Sequence, residues 1–119
     1  MGTQPFEAEV RRHDGIAVID LHGEINSAAD EALNAAYDQA TDASSRAILL
    51  NFTQVDYINS SGIALIVGLM AQSRKSGRRL MASGLSDHYR QIFQITRLAD
   101  FMTLLPDEAS ALDEAKIKA

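Results

Sequence analysis

The 119-residue sequence has no cysteine, which excludes disulfides, thiolate zinc sites and cysteine nucleophiles before any motif is weighed. No leader of the secretory kind is expected, since Met1 to Val10 carries neither a basic nor an apolar block. The longest apolar run, Ile63 to Met70, is far too short to span a bilayer. A cytoplasmic protein is expected. An excess of positive charge is missing too: the net charge is −5, and the basic pairs Arg11/Arg12, Arg74/Lys75 and Arg78/Arg79 are dispersed. That balance opposes phosphate-backbone binding, so no direct nucleic-acid partner is expected. The glycines Gly62, Gly68, Gly77 and Gly84 are too scattered for a phosphate-cradling loop or a dinucleotide fingerprint. No Gly-x-Ser-x-Gly elbow exists to arm a hydrolase built from Ser60, His88 and Asp56.

What remains is an ordinary globular composition, 46% hydrophobic and 23% charged, enough to bury a core without staples. A single domain is expected over residues 1–119, with its core at about 6–117. Phe6 to Arg12 and Gly15 to Gly23 read as two antiparallel strands joined through His13-Asp14-Gly15. Ser27 is a candidate cap for a helix with Ala28, Ala32, Leu33, Ala36 and Tyr37 on one face, ending near Asp42. Arg46 to Phe52 is a continuous apolar run, the pattern of a central parallel strand buried on both faces, followed by a loop through Tyr57.

Ser60 or Ser61 then caps the most hydrophobic helix, bearing Ile63, Leu65, Ile66, Leu69 and Met70 and stopping at Gly77. Arg79 to Ala82 is a further strand, Ser86-Asp87 opens a helix through about Ile95, Phe101 to Leu105 is a last strand, and Pro106-Asp107-Glu108 begins a terminal helix. The order ββαβαβαβα predicts an α/β fold with a mostly parallel mixed sheet and helices packed on it.

Chemistry concentrates at Ser60-Ser61. Read locally, the pair caps a helix; read functionally, it places hydroxyls where a helix N-terminus stabilises anions, phosphate included. Asp20, His22 and Glu24 share one strand face and raise a metal site, but the same alternation describes the solvated face of an edge strand, the preferred reading, and no metal is expected. Phe93, Ile95, Leu98, Phe101, Met70 and Met81 read as core, and Arg74, Arg90 and Arg97 as solvent-facing cations without a function.

Three stretches carry a family resemblance: Tyr57-Ile58-Asn59-Ser60-Ser61-Gly62-Ile63-Ala64-Leu65-Ile66, Leu21-His22-Gly23-Glu24-Ile25-Asn26, and Gly84-Leu85-Ser86 with Phe93-Gln94-Ile95-Thr96-Arg97-Leu98. Their order and spacing resemble the STAS domain family of anti-sigma factor antagonists. The resemblance implies a non-enzymatic binding module without a cofactor, a monomer or weak dimer. It would be phosphorylated at Ser60, less readily at Ser61, by an anti-sigma serine kinase and dephosphorylated by a PP2C-type phosphatase. The implied partner-binding residues are Asn26, Asn59, Ser60, Ser61 and Gly62. Asn26 and Asn59 stand where antagonists of this family usually carry aspartate, which removes negative charge beside the implied phosphosite. A STAS scaffold or ligand-responsive module without a sigma factor downstream is the alternative function.

Overall fold

Two apolar runs organise the molecule, one in each of two adjacent central strands. The computed structural model describes residues 5–13, 15–41 and 45–118, the last three by backbone alone. Its strands are β1 (Glu7–His13), β2 (Ile16–Ile25), β3 (Ala47–Ile58), β4 (Arg79–Ser83) and β5 (Thr103–Leu105), and its helices α1 (Asp30–Ala40), α2 (Ser60–Lys75), α3 (Asp87–Ile95) and α4 (Glu108–Lys118). Short 3-10 turns at Ser27–Ala29 and Leu98–Asp100 precede α1 and β5. The expected element order holds, and the sheet runs β1-β2-β3-β4-β5, with β1 antiparallel to β2 and every other pair parallel. Asp14 and Asp42 lie outside the described residues; α1 closes at Ala40, and Gly15 has the positive φ of 80° that the hairpin requires.

Alternation along β2 and β3 divides the core in two. Ala17, Ile19, Leu21, Ile48, Leu50 and Phe52 face the layer of α1, α2 and α3, which contributes Leu33, Tyr37, Ile66, Leu69 and Phe93. Ile16, Val18, Leu49 and Met81 face α4, which meets them through Ala111 and Ala115, residues small enough to let the helix lie close. Within the first layer the Tyr37 and Ser73 hydroxyls, both buried, hydrogen-bond at 2.7 Å and tie α1 to α2. Phe93 packs edge-on against Phe52, ring centroids 6.3 Å apart.

Three expectations need correction. The segment expected to be a loop through Tyr57 is strand, because β3 continues to Ile58. Register shifts between Asp20 and His22 and between Gly23 and Glu24 break its alternation against β2, so no period-2 pattern survives in the sequence. Ile95 and Phe101 are not core: they are 78% and 53% exposed. Phe93 takes the inward face of the short helix α3, and Arg97 enters the next turn left-handed, at φ 68°. Ala28 and Ala32 likewise point outward, while Ala29, Leu33, Ala36 and Tyr37 bury. Met70 and Met81 are buried as expected.

Candidate functional site

The last residues of β2 and β3, Ile25 and Ile58, are register partners, so Asn26 and Asn59 leave the sheet side by side at the carboxyl ends of adjacent parallel strands. This is where α/β sheets place their ligand-facing loops. Each asparagine caps the helical turn that it introduces. Asn26 Oδ1 accepts from the Ala28 amide at 2.9 Å, and Asn59 Oδ1 accepts from the Gly62 amide at 2.8 Å. The caps are therefore Asn26 and Asn59, not Ser27 and Ser60 or Ser61. Both side chains suit a cap, and the extended backbone of the asparagines, with ψ of −168° and −177°, selects them.

Two further contacts hold the start of α2 against the sheet. The Asn59 amide donates to the Ile25 carbonyl at 3.2 Å. Gly62 is buried, and a Cβ there would fall 2.0 Å from the same carbonyl oxygen. Glycine at this position is thus a requirement of close approach. On the far side of β3, the Tyr89 hydroxyl accepts from the Ile58 amide at 2.9 Å. It supplies a partner where β4, whose pairing ends at Asn51 with Ser83, no longer runs beside β3.

The outcome for the serines is specific. Ser60 is the first residue of α2 and Ser61 the second, and both are exposed. At the first turn their amides have no acceptor inside the helix, and the positive end of the helix dipole lies beneath them. The five residues Asn26, Asn59, Ser60, Ser61 and Gly62 thus form one structural unit, in which only the serines present side chains outward without a role in the cap. Tyr89 and the Ile25 carbonyl belong to the same unit. The sequence carries no signal for either, since both act across long separations.

The other candidates disperse. Among the described residues no group of acidic and histidine side chains is placed to hold a metal. Asp20 accepts from Arg11 at 2.5 Å and from Asn51 at 2.8 Å, while Arg11 also reaches Glu108 on α4 at 2.6 Å. The hydrogen bond from Arg11, then that from Asn51, holds the Asp20 carboxyl below the usual range despite partial burial, and the two carboxylates raise the Arg11 pKa. His22 Nε2 lies 3.7 Å from Glu9. The face of Asp20, His22 and Glu24 is therefore partly an ion-pair network, on an interior strand and not on an edge. No described hydrogen bond joins Ser60, His88 and Asp56; His88 packs instead against the Tyr89 ring. Arg90 pairs with Asp87 and Arg97 with Asp100, whereas the Arg74 guanidinium lies over the Phe101 ring, 5.5 Å from its centre. No helix among the described residues is long and apolar enough to cross a membrane.

Comparison with known proteins agrees with this geometry. The family model for the STAS domain matches residues 7–111. The chain is 30% identical over 93 residues to BtrV of Bordetella bronchiseptica, a protein assigned as an anti-sigma factor antagonist, covering 78% of each sequence. Among solved structures it resembles the anti-sigma factor antagonist SpoIIAA in its unphosphorylated form, with a TM-score of 0.71 and 24% identity, covering 94% of this chain and 98% of that one. It resembles the phosphorylated form of the Bacillus cell fate determinant SpoIIAA as well, with a TM-score of 0.69 and 27% identity, covering 93% and 99%. A sheet of this order, a capped serine pair at the start of α2 and a family match across most of the chain together place this protein in the STAS domain family, among the anti-sigma factor antagonists.

Proposed function

We propose that this protein is a phosphorylation-controlled binding module. Unmodified, it binds an anti-sigma serine kinase; phosphorylated on Ser60 by that kinase, it lets go; a PP2C-type phosphatase resets it. Transcription or stress signalling is regulated by this exchange of partners, and the chain itself turns over no substrate. The observation that carries the reading is the placement of Ser60, exposed at the first position of α2 and free of the cap that Asn59 provides.

The physics of the switch comes from charge. A phosphate brings about −1.5 to −2 charges at pH 7 and three strong acceptors. At the first turn of α2 that charge meets unsatisfied amides and the positive end of the dipole, so the fold accommodates it. Across an interface fitted to a neutral hydroxyl, the same group adds bulk and like-charge repulsion, so binding falls while folding persists. The neutral caps favour this division. Asn59 keeps the acceptor that Gly62 needs and sets no carboxylate beside the phosphate.

The test is incubation with the cognate kinase and ATP, read by intact mass. One phosphoryl group should be gained by the parent chain and by Ser61→Ala, and none by Ser60→Ala. Ser60→Ala should still bind the kinase and Ser60→Asp should bind it poorly. Equal binding by these two variants would sink the switch.

A further inference from the structure

At the opposite end of α2, the last turns and the 3-10 segment Leu98–Asp100 enclose a cleft of about 220 Å³, lined by Val67, Met70, Ala71, Leu98 and Phe101, with Arg74 as its one charged wall. Val67 and Phe101 are 40% and 53% exposed, so the slot opens its apolar walls to solvent. Met70, Arg74 and Phe101 also border a second cleft of about 470 Å³, whose walls include Arg78 and Arg79.

The charges around this groove are unevenly committed. Asp100, the carboxylate on the second cleft, is held by Arg97 at 2.8 Å. Arg79 is held by Glu114 at 2.7 Å, and Arg78 donates to the Thr41 and Ser45 carbonyls. Arg74 alone of the three lining arginines has no carboxylate or carbonyl acceptor among the described residues; its guanidinium rests on the Phe101 face. A fork of donors held over an aromatic ring, at the mouth of an apolar slot, complements a molecule with an apolar body and one anionic head. At about 220 Å³ the slot suits a short hydrocarbon chain.

We propose that this groove binds a small amphipathic carboxylate, its hydrocarbon lying along Val67, Ala71, Leu98 and Phe101 and its head group on Arg74. The site runs from seven to fourteen residues along α2 from Ser60, roughly 10 to 21 Å at the helical rise, and does not depend on the phosphorylation reading. Titration of the full chain with octanoate, monitored by amide NMR, should give saturable shifts centred on Val67, Ala71, Leu98 and Phe101, whereas octylammonium should give none there. Arg74→Gln, a change at an exposed position that leaves the core untouched, should weaken octanoate at least about tenfold, the loss expected for one charge-assisted hydrogen bond. Phe101→Ala should weaken it further by removing the wall and the surface that steadies Arg74. The proposal is overturned by shifts that are absent or scattered, by octylammonium binding in the same place with similar strength, or by Arg74→Gln binding octanoate as the parent does.

Discussion

The two ends of α2 are built on opposite principles. At its start the backbone is pinned: Asn59 Oδ1 takes the Gly62 amide, the Ile25 carbonyl takes the Asn59 amide, and Gly62 lies so close that no side chain fits. From its middle onward the outward face of the helix is open, with Val67 and Phe101 exposed and Arg74 over a ring face. The first arrangement fixes the position of Ser60 to within what the sheet allows. The second leaves a surface that a ligand can complete. One helix thus carries a fixed serine pair at its start and an open apolar slot farther along because the two stretches meet different neighbours: strand termini at one, a 3-10 turn at the other.

Substitution at the pinned end should have the largest effect. Gly62→Ala drives a methyl into the Ile25 carbonyl and should cost about 3 kcal/mol, at the upper end for overpacking, seen as a lower urea midpoint. Asn59→Ala removes the α2 cap and should cost about 1 kcal/mol. Asn59→Asp should keep the cap and match or slightly exceed the parent in stability, since a carboxylate favours a helix N-terminus. The same change should lower the stability of the Ser60-phosphorylated chain relative to phosphorylated parent, because two anions then share one turn. A greater stability of that doubly charged form would refute the role assigned to the neutral cap.

Midway along α2 the sign reverses. Gly68 lies on the exposed face of α2, and a Cβ there would meet nothing. Gly68→Ala should therefore stabilise by about 0.5–1 kcal/mol through helix propensity. Paired with Gly62→Ala, it measures the contrast directly: the same chemical change on the same helix, opposite in effect.

The smallest expected effect lies away from both ends, at Asp20. Its carboxyl is held below the usual range, mainly by the hydrogen bond from Arg11. Unfolded, it titrates near about 3.9, so below that value the unfolded chain binds more protons. The contribution is present above about pH 4 and lost as pH falls through the lowered folded pKa. Asp20→Asn should flatten that acid limb by less than about 1 kcal/mol, as expected for a partly exposed ion pair, with denaturation midpoints across the acid range as the measurement.

How far the sequence could be read depended on how local the signal was. The Ser60-Ser61-Gly62 stretch and the apolar runs of β2 and β3 were legible because each is contiguous in sequence. Both asparagine-capped starts read late, Ser27 for Asn26 and Ser60 or Ser61 for Asn59, because asparagine and serine cap equally well and only backbone angles separate them. The outer half of β3 was hidden by its register shifts. Ile95 and Phe101 read as core because their spacing allows it; a short helix and a left-handed Arg97 turned them outward.

By itself the sequence determined the element order, the apolar faces and the position of the serine pair, since these arise from periodicity and from residues a few places apart. Tertiary structure alone decided that Asn26 and Asn59 stand side by side, that Gly62 must be glycine, and that Tyr89 supports Ile58. It alone also set Arg74 over Phe101 at the mouth of an apolar slot. Each of these depends on where separate strands and helices end relative to one another, and that alignment comes from packing a whole sheet rather than from any one segment.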